Sequence, residues 1–311
     1  MNPKLYAYIL FVFIFALLFS CKKEITYTLQ NSSRKIVVNS LFTTTEPMSV
    51  KVFSSSFITD TYDSPLFLNN ATVSVYTNEE LVEVLTPLSD GDYKSTTHYP
   101  QAGITYTLKV EVPNMGTAIS EAEVLHPVQV LGFDSVGIYK SDMWSDEMIK
   151  AHIRIKDPSN KNNYYRLTLW SYSYEFHYDS ENHLIIGTIP YISQLEPMSN
   201  DPVFEEGTYG EFVFSDALIN GKEYNLEVLI SKYTSNPDIR FILAVLEHIS
   251  YDYYQYGISL PAHFDAEDMK MFFEAVLVHN NIQNGIGIFG TSSQSTDTLY
   301  NSNFAKPYTE N

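Results

Sequence analysis

Residues 164–178 read YYRLTLWSYSYEFHY, and this stretch decides the fold class. In its second half an aromatic side chain occupies every second position, with serine, glutamate or histidine between the aromatic residues. Side chains of a β-strand point alternately to opposite faces, so a period of two residues is typical of a strand. The aromatic residues are Trp170, Tyr172, Tyr174, Phe176 and Tyr178. The stretch therefore predicts one long strand with an aromatic face and a polar face.

The aromatic face of this strand has two interpretations. The one that we favour is the inner face of a β-sandwich, where such a stripe forms part of the core. The other is a platform on which a sugar or a peptide stacks, because aromatic rings pack on apolar ligand surfaces. Fifteen extended residues span about 50 Å, which is longer than one sandwich layer needs. We therefore expect one end to protrude, with Tyr174, Phe176 and Tyr178 as candidate contacts to a ligand or partner.

Short β-type runs bounded by turn residues fill much of the remaining chain. Several runs within residues 35–128 alternate apolar and polar side chains, and turn residues lie at 90–92 and 113–116. The 24 tyrosines and 19 phenylalanines also suit half-buried sheet surfaces. We predict an all-β protein, with an N-terminal immunoglobulin-like or transthyretin-like β-sandwich at 35–128. A second β-rich domain carrying one or two helices follows at 129–295, and residues 296–311 are predicted to be a flexible tail.

Capping and spacing predict a helix in the second domain. Asn236 can cap it, and Pro237 suits its first turn. Apolar residues recur at spacings of three and four residues, at Ile242, Val245, Ile249 and Tyr253. The helix is expected to end near Gly257.

Four tyrosines crowd the end of this predicted helix, at positions 251, 253, 254 and 256. Because successive helical residues are about 100° apart, the four rings cannot all face one side. We interpret Tyr251 and Tyr254 as contacts to another domain or to a partner, in preference to a small ligand.

Turn residues predict three further strand pairs in the second domain. The first pair joins at residues 180–182, and the second lies around Asn220-Gly221. The third occupies residues 272–288 and turns at Asn284-Gly285, a dipeptide that is typical of two-residue hairpin turns.

The first twenty residues resemble an export signal. Lys4 precedes an uncharged apolar run from Leu5 to Phe19, which as a helix reaches about 22 Å and is too short to span a bilayer. Leu18, Ser20 and Cys21 then resemble the lipobox of bacterial lipoproteins, in which the cysteine becomes the diacylated first residue. We predict a signal peptide at 1–20, lipidation of Cys21 and a tether at 21–34. The alternative is an ordinary signal peptide followed by an unrelated cysteine.

The charge excludes some classes of partner. The chain has 19 Lys+Arg and 37 Asp+Glu, a net charge of −18, and shows no basic stripe that could neutralise phosphates. Nucleic acid is therefore not a predicted partner. An anionic bilayer surface would also repel the chain, so membrane attachment must come from apolar insertion or from a covalent lipid.

No catalytic or metal-binding motif is present in the sequence. The only cysteine is Cys21, no GxSxG elbow occurs, and the eight histidines form neither an HExxH motif nor an i,i+4 pair. Acidic pairs such as Glu205-Glu206 could ligate calcium, but no EF-hand spacing supports this, and solvated surface is the favoured interpretation. We predict no cofactor, no metal and no enzymatic activity.

Seven fragments carry a family resemblance by their order and spacing over residues 35–290. They are KIVVNSLFT, NNATVSVY, GDYKS, AGITYTLKV, DPSNKNNYYRL, FSDALINGKEYNLEV and NIQNGIGIFG. Together they resemble the Bacteroidota outer-membrane lipoproteins classed as domain of unknown function 4249. The resemblance implies an all-β, two-part lipoprotein with no assigned activity and no catalytic residues. It also implies a TonB-dependent outer-membrane transporter as a partner, because genes of the family often neighbour those of such transporters.

These observations leave two functions from different classes. The first is a non-catalytic accessory or ligand-capture lipoprotein of a TonB-dependent transporter, anchored in the outer membrane by its lipid. The second is a surface scaffold or adhesin whose sandwiches are spacers and whose aromatic residues are core. A hydrolase is the least supported function. The face of the outer membrane stays open, because the charged residues after Cys21 are a weak instance of a surface-export signal.

Overall fold

The computed structural model describes residues 33–57, 60, 66–140, 147–159, 161–178, 185–204, 210–231, 239–268 and 276–300. The chain divides into two compact units, Met1–Ser33 and Arg34–Asn311. The described strands and the described helix all belong to the second unit. The predicted signal peptide and Cys21 lie outside the described residues.

The described residues form seventeen strands and one helix, which confirms the all-β prediction. The strands are β1 (Ile36–Thr43), β2 (Ser49–Ser54), β3 (Leu66–Phe67), β4 (Thr72–Thr77), β5 (Glu80–Val84), β6 (Thr86–Pro87), β7 (Asp92–Lys94), β8 (Thr105–Val112), β9 (Gly116–Glu123), β10 (Val130–Tyr139), β11 (Met148–Lys156), β12 (Tyr164–Tyr178), β13 (Ile185–Gln194), β14 (Glu211–Ser215), β15 (Glu223–Ser231), β16 (Phe241–Ile249) and β17 (Gly285–Tyr300). The helix is α1 (Tyr251–Asp268).

These strands form three sheets. The largest has ten strands in the order β13-β12-β16-β17-β1-β2-β7-β6, with β14 also paired to β12 and β3 to β2. A four-stranded sheet has the order β5-β4-β8-β9, and a three-stranded sheet has the order β10-β11-β15. We call the ten-stranded sheet the large sheet.

The first hydrophobic core lies between the large sheet and the four-stranded sheet. Val38 and Val52 contribute to it from β1 and β2, and Val75 and Leu108 from β4 and β8. All four are 2% exposed or less, as expected where alternate residues of facing sheets interdigitate. The N-terminal half is therefore sandwich-like, as the alternation predicts.

The second core lies between the other half of the large sheet and the three-stranded sheet. Leu167 of β12 and Ala244 of β16 pack there with Ile153 of β11 and Val228 of β15. The strands on either side of Asn220-Gly221 lie in different sheets, since β14 pairs with β12 and β15 pairs with β11. The predicted pairing of these two strands with each other is therefore wrong.

Strand β17 joins the two halves. Its first residues pair in parallel with β1, from Gly285↔Ile36 onward, and its last residues pair antiparallel with β16, up to Tyr300↔Phe241. Phe289 is buried in the first core and Leu299 in the second. The parts of the chain on either side of residue 128 thus share one continuous sheet.

The long strand β17 contradicts two predictions. Gly285 begins this strand, and residues 276–282 form none, so the predicted hairpin at Asn284-Gly285 is wrong. Residues 296–300 belong to the sheet, so the flexible tail does not begin at 296, and 301–311 lie outside the described residues. Serine and threonine give this strand the composition of a loop, yet residues 291–293, where β17 passes from β1 to β16, are buried.

The predicted helix is also misplaced. Ile242, Val245 and Ile249 lie in β16, while Asn236 and Pro237 lie outside the described residues. The helix begins at Tyr251, continues past Gly257 and contains Pro261. Both faces of β16 are largely apolar, and this hides its period of two residues from sequence analysis.

The predicted hairpin after the long aromatic strand is confirmed. Strands β12 and β13 are consecutive and antiparallel, with Trp170 opposite Gln194 and Tyr174 opposite Pro190. The connecting residues 179–184 lie outside the described residues.

Candidate functional site

The aromatic residues of β12 lie on the outer face of the large sheet. The inner face carries Tyr165, Leu167 and Leu169, which are fully buried in the second core. Trp170, Tyr172 and Tyr174 point to the opposite face and are half-buried. For these three residues the favoured interpretation as an inner face is wrong. Between them Ser171 and Ser173 occupy the inner face, where both are buried.

Two neighbouring strands extend this aromatic surface. Tyr172 lies opposite Phe241 of β16, and Phe241 lies opposite Tyr300 of β17. Directly opposed residues share a face, so the three rings form a row across the sheet. We define the aromatic patch as Trp170, Tyr172, Tyr174, Phe241 and Tyr300. Sequence analysis identified only the β12 members, because the register of β16 and β17 is a tertiary property.

Four rings of the aromatic patch, those of Tyr172, Tyr174, Phe241 and Tyr300, pack against one another. Tyr172 and Phe241 stack with centroids 4.7 Å apart and planes at 5°. Tyr174 meets Tyr172 edge to face at 5.6 Å, and Tyr300 meets Phe241 edge to face at 6.1 Å. Because Tyr172 and Phe241 stack on each other, the faces that meet are closed to a ligand. The patch therefore presents ring edges and hydroxyl groups, which suits a protein surface better than the flat stacking of a sugar.

The margin of the patch combines apolar and basic groups. Tyr300 is 58% exposed, and Ile192 of β13, opposite Tyr172, is 61% exposed. The Arg240 guanidinium lies 5.8 Å from the centroid of the Tyr174 ring, within cation–π distance. The patch thus has the residue types that dominate protein interfaces, namely tyrosine, tryptophan and arginine.

Helix α1 covers a different part of the same outer face. Tyr254 is 7% exposed and stacks on Tyr164 of β12 at 4.6 Å, in a small cluster with Val213 and Ile249. Tyr251 is 53% exposed and lies 5.3 Å from Tyr164. Tyr164 and Tyr174 are ten residues apart on one strand, about 33 Å. The structure therefore does not bring Tyr251 and Tyr254 together with Tyr174, and Tyr254 acts as a packing residue.

A charged cluster lies beside α1. Arg166 donates to Glu211 at 2.6 Å and to Glu247 through a second nitrogen. Burial by itself lowers the pKa of Arg166, but Tyr253 and the two carboxylates outweigh burial and raise it. The guanidinium stays charged and forms ion pairs with both carboxylates. Glu211 and Glu247 are therefore not available as an acid and a base.

A buried polar network lies at the turn before β12. The Asn163 side chain is fully buried, and its Nδ2 lies 2.9 Å from the Pro158 carbonyl oxygen and 3.0 Å from that of Lys161. The same nitrogen lies 3.3 Å from Asp157 Oδ1 and 3.2 Å from Asp216 Oδ2. Sequence analysis missed this network, although Asp and Asn flanking Pro158 are a turn signal.

The carboxylates of this network are held by neutral donors. The Asp157 carboxylate accepts from the Tyr165 hydroxyl and from the Gly221 amide at 2.8 Å. Asp216 accepts from the Asn163 amide at 2.9 Å, and burial raises its pKa. Within the described ranges, no group of three or more His, Cys, Asp and Glu side chains could hold a metal ion. The network therefore has a structural role, because its hydrogen bonds join the turn at 157–163 to the turn at 216–221.

Several predicted site residues cannot be placed by the structure. Cys21 and the side chains of Phe176 and Tyr178 lie outside the described residues, although the backbone of 176 and 178 belongs to β12. Their assigned roles stay predictions. In the part of the chain that the structure describes, no helix has the length and hydropathy needed to cross a membrane.

Comparison with known proteins assigns the chain to a family. No curated protein matches the sequence. The family described as Domain of unknown function (DUF4249) matches residues 22–298, which is nearly the whole chain after Cys21. The fold and this match agree with the resemblance that the seven sequence fragments carry. The protein is a member of the DUF4249 family.

Proposed function

We propose that this protein is a non-catalytic lipoprotein of the outer membrane that docks on a TonB-dependent transporter through the aromatic patch. The observation that carries the proposal is the position of the patch, on the outer face of the large sheet and opposite the second core. In this function the patch is a protein-binding surface, and the lipid on Cys21 keeps the protein at the membrane.

The chemistry of the patch supports a protein partner. Interface hot spots are enriched in Trp, Tyr and Arg, and Trp170, Tyr172 and Arg240 supply all three types. The ring edges and hydroxyl groups can pack against apolar side chains and donate hydrogen bonds at the same time. A polyanionic ligand is disfavoured by the net charge of −18.

The chain length allows this docking from a lipid anchor. Strand β1 begins at Ile36, fifteen residues after Cys21. Fifteen extended residues reach at most about 50 Å. A tether of that reach lets the large sheet approach a protein embedded in the same membrane.

Removing two rings of the patch is expected to release the transporter. The variant is Tyr172→Ser with Tyr300→Ser, and each ring, as a hot spot of the proposed interface, is expected to contribute about 1 kcal/mol of binding. Together they lower the affinity by about 30-fold. The measurement is cross-linking in intact cells, purification from detergent-solubilised membranes, and quantitative mass spectrometry of the TonB-dependent transporter recovered.

Tyr99→Ser is the matched control, because Tyr99 is 53% exposed but lies outside the patch. It is expected to recover as much transporter as the wild type. Recovery of no transporter by the wild type, or equal recovery by the patch variant, would contradict the proposal. Equal recovery together with unchanged uptake would support the surface scaffold or adhesin instead.

Replacing the predicted lipidated cysteine is expected to release the protein from membranes. In Cys21→Ala no thioether can form, and two or more acyl chains, each worth about 0.8 kcal/mol per buried methylene group, are lost. The measurements are the membrane fraction after ultracentrifugation and the intact mass of the mature protein.

Ser20→Ala is the control for this experiment, because it keeps a small residue before the cysteine, and it should remain lipidated and sedimenting with membranes. A Cys21→Ala protein that stays in the membrane fraction, or a wild-type protein of lipid-free mass, would refute the anchor.

A further inference from the structure

The connection between the two cores is held by side chains. Val124 is buried in the first core and Val128 in the second, and residues 124–129 form no strand. Backbone carbonyl groups along it accept hydrogen bonds from the large sheet. They are Glu123 from Thr291 Oγ1 at 2.6 Å, His126 from His248 Nδ1 at 2.7 Å and Val128 from Ser295 Oγ at 2.5 Å. We call this row of contacts the seam.

Of the three donors Thr291, His248 and Ser295, histidine is the residue type that titrates near neutral pH. It lies on the inner face of β16, is 3% exposed and stacks on the Tyr165 ring at 5.3 Å. A carbonyl oxygen only accepts, so Nδ1 carries a proton, and in the neutral imidazole Nε2 is then the unprotonated nitrogen. The neutral imidazole therefore suffices to make the bond that holds the seam.

The other ring nitrogen of His248, Nε2, is buried without a hydrogen-bond partner in the part of the chain that the structure describes. Among the described residues neither His248 Nε2 nor the hydroxyl of Ser293, its cross-strand neighbour on β17, has a hydrogen-bond partner. A proton added to Nε2 would place a positive charge in a buried site that offers this nitrogen no hydrogen-bond acceptor within the described ranges. Burying an unpaired charge is costly, so protonation opposes the closed seam.

The charged groups that face His248 do not reverse this effect. Burial is the largest cause that lowers its pKa from 6.5, and Lys161 in the turn before β12 lowers it further. Asp216 after β14, Glu123 at the end of β9 and the hydrogen bond to the His126 carbonyl raise it, but by less. The Tyr165 hydroxyl is already bonded to Asp157.

We propose that His248 is a pH-sensitive latch that closes the seam when neutral and releases the connection 124–129 when protonated. Release would free the connection 124–129 from β16 and β17, while the large sheet stays paired through β1, β17 and β16. This inference rests on the seam and is independent of the proposed partner.

The direction of the pH dependence follows from proton linkage. The closed state has the lowered pKa, so the open state binds the proton more readily below pH 6.5. The closed seam is fully stable above that pH and loses stability as the pH falls toward the lowered pKa. For one proton the opening equilibrium rises by at most about tenfold per pH unit.

Hydrogen exchange of the full-length protein in detergent tests the latch. Peptides covering 124–130 and 291–296 are followed by mass spectrometry at pH 7.5, 6.5 and 5.5, with correction for the intrinsic pH dependence of exchange. In the wild type, opening is expected to increase toward pH 5.5 by up to about tenfold per unit.

Two variants separate the latch from general effects of acid. His248→Asn keeps an amide that can donate to the His126 carbonyl but cannot titrate, so its seam opening is expected to be independent of pH. His152→Asn removes a partly exposed histidine that contacts Glu227 on β15, and it should keep the wild-type dependence.

The proposal is overturned if wild-type seam protection is the same at the three pH values or if His248→Asn keeps the wild-type dependence. Titration of the His248 Cε1 proton by NMR gives a second measurement, which also decides the matter if the variant does not fold. A pKa at or above 6.5 in the folded protein overturns the proposal, and a lower pKa supports it.

Discussion

Gly287→Ala is expected to destabilise the protein by about 4 kcal/mol or more. Gly287 lies in β17 opposite Val38 and has a φ of +121°, a value that residues with a Cβ rarely adopt. A Cβ at this position would overlap the Val38 carbonyl oxygen and lie 2.9 Å from the carbonyl carbon. Because both atoms belong to the backbone, β1 itself would have to move away from β17. Urea unfolding measures the loss as a lower midpoint.

Gly116→Ala isolates the contribution of backbone strain in this prediction. Gly116 has a φ of +104°, but a Cβ added there would have no neighbouring atom within 4 Å, so only strain of about 1–2 kcal/mol is expected. Equal losses of stability in the two variants would show that the close approach of β1 and β17 does not account for the need for glycine at 287.

Asn163→Ala is expected to lower the free energy of unfolding by about 3–4 kcal/mol. The variant removes the amide that lies between the Asp157 and Asp216 carboxylates and donates to the carbonyl oxygens of Pro158 and Lys161. The Asp157 and Asp216 carboxylates stay buried after the change, and each loses one of its donors, which carries a desolvation cost. Thermal and urea unfolding both measure the effect.

Asn162→Ala is the control for the buried network, because Asn162 is the exposed neighbour of Asn163. Its expected effect is within about 0.5 kcal/mol, as for most surface substitutions. If Asn163→Ala lowers the free energy of unfolding no more than this control does, water replaces the amide and the buried network adds little to stability.

The part of the candidate site on β12 could be predicted from the sequence, because a strand pattern is local. The alternation from Trp170 to Tyr178 predicts the strand, and the turn residues that follow predict the hairpin with β13. Phe241 and Tyr300 could not be added to the patch in the same way. Phe241 meets Tyr172, and Tyr300 meets Phe241, only through the register of β12, β16 and β17, which depends on contacts between distant parts of the chain.

The all-β class, the length of β12 and the alternation of its two faces follow from the sequence by itself, because propensity and a period of two residues are local properties. The tertiary structure decided which of those faces is core. An aromatic stripe fits either a buried or an exposed face of a sheet. Here the three-stranded sheet packs against the other face, which carries Leu167 and Leu169. The tertiary structure also decided that β16 is a strand and that the polar β17 is half-buried in the large sheet, since β17 pairs first with β1 and then with β16, which satisfies backbone groups that the composition suggests are exposed to water.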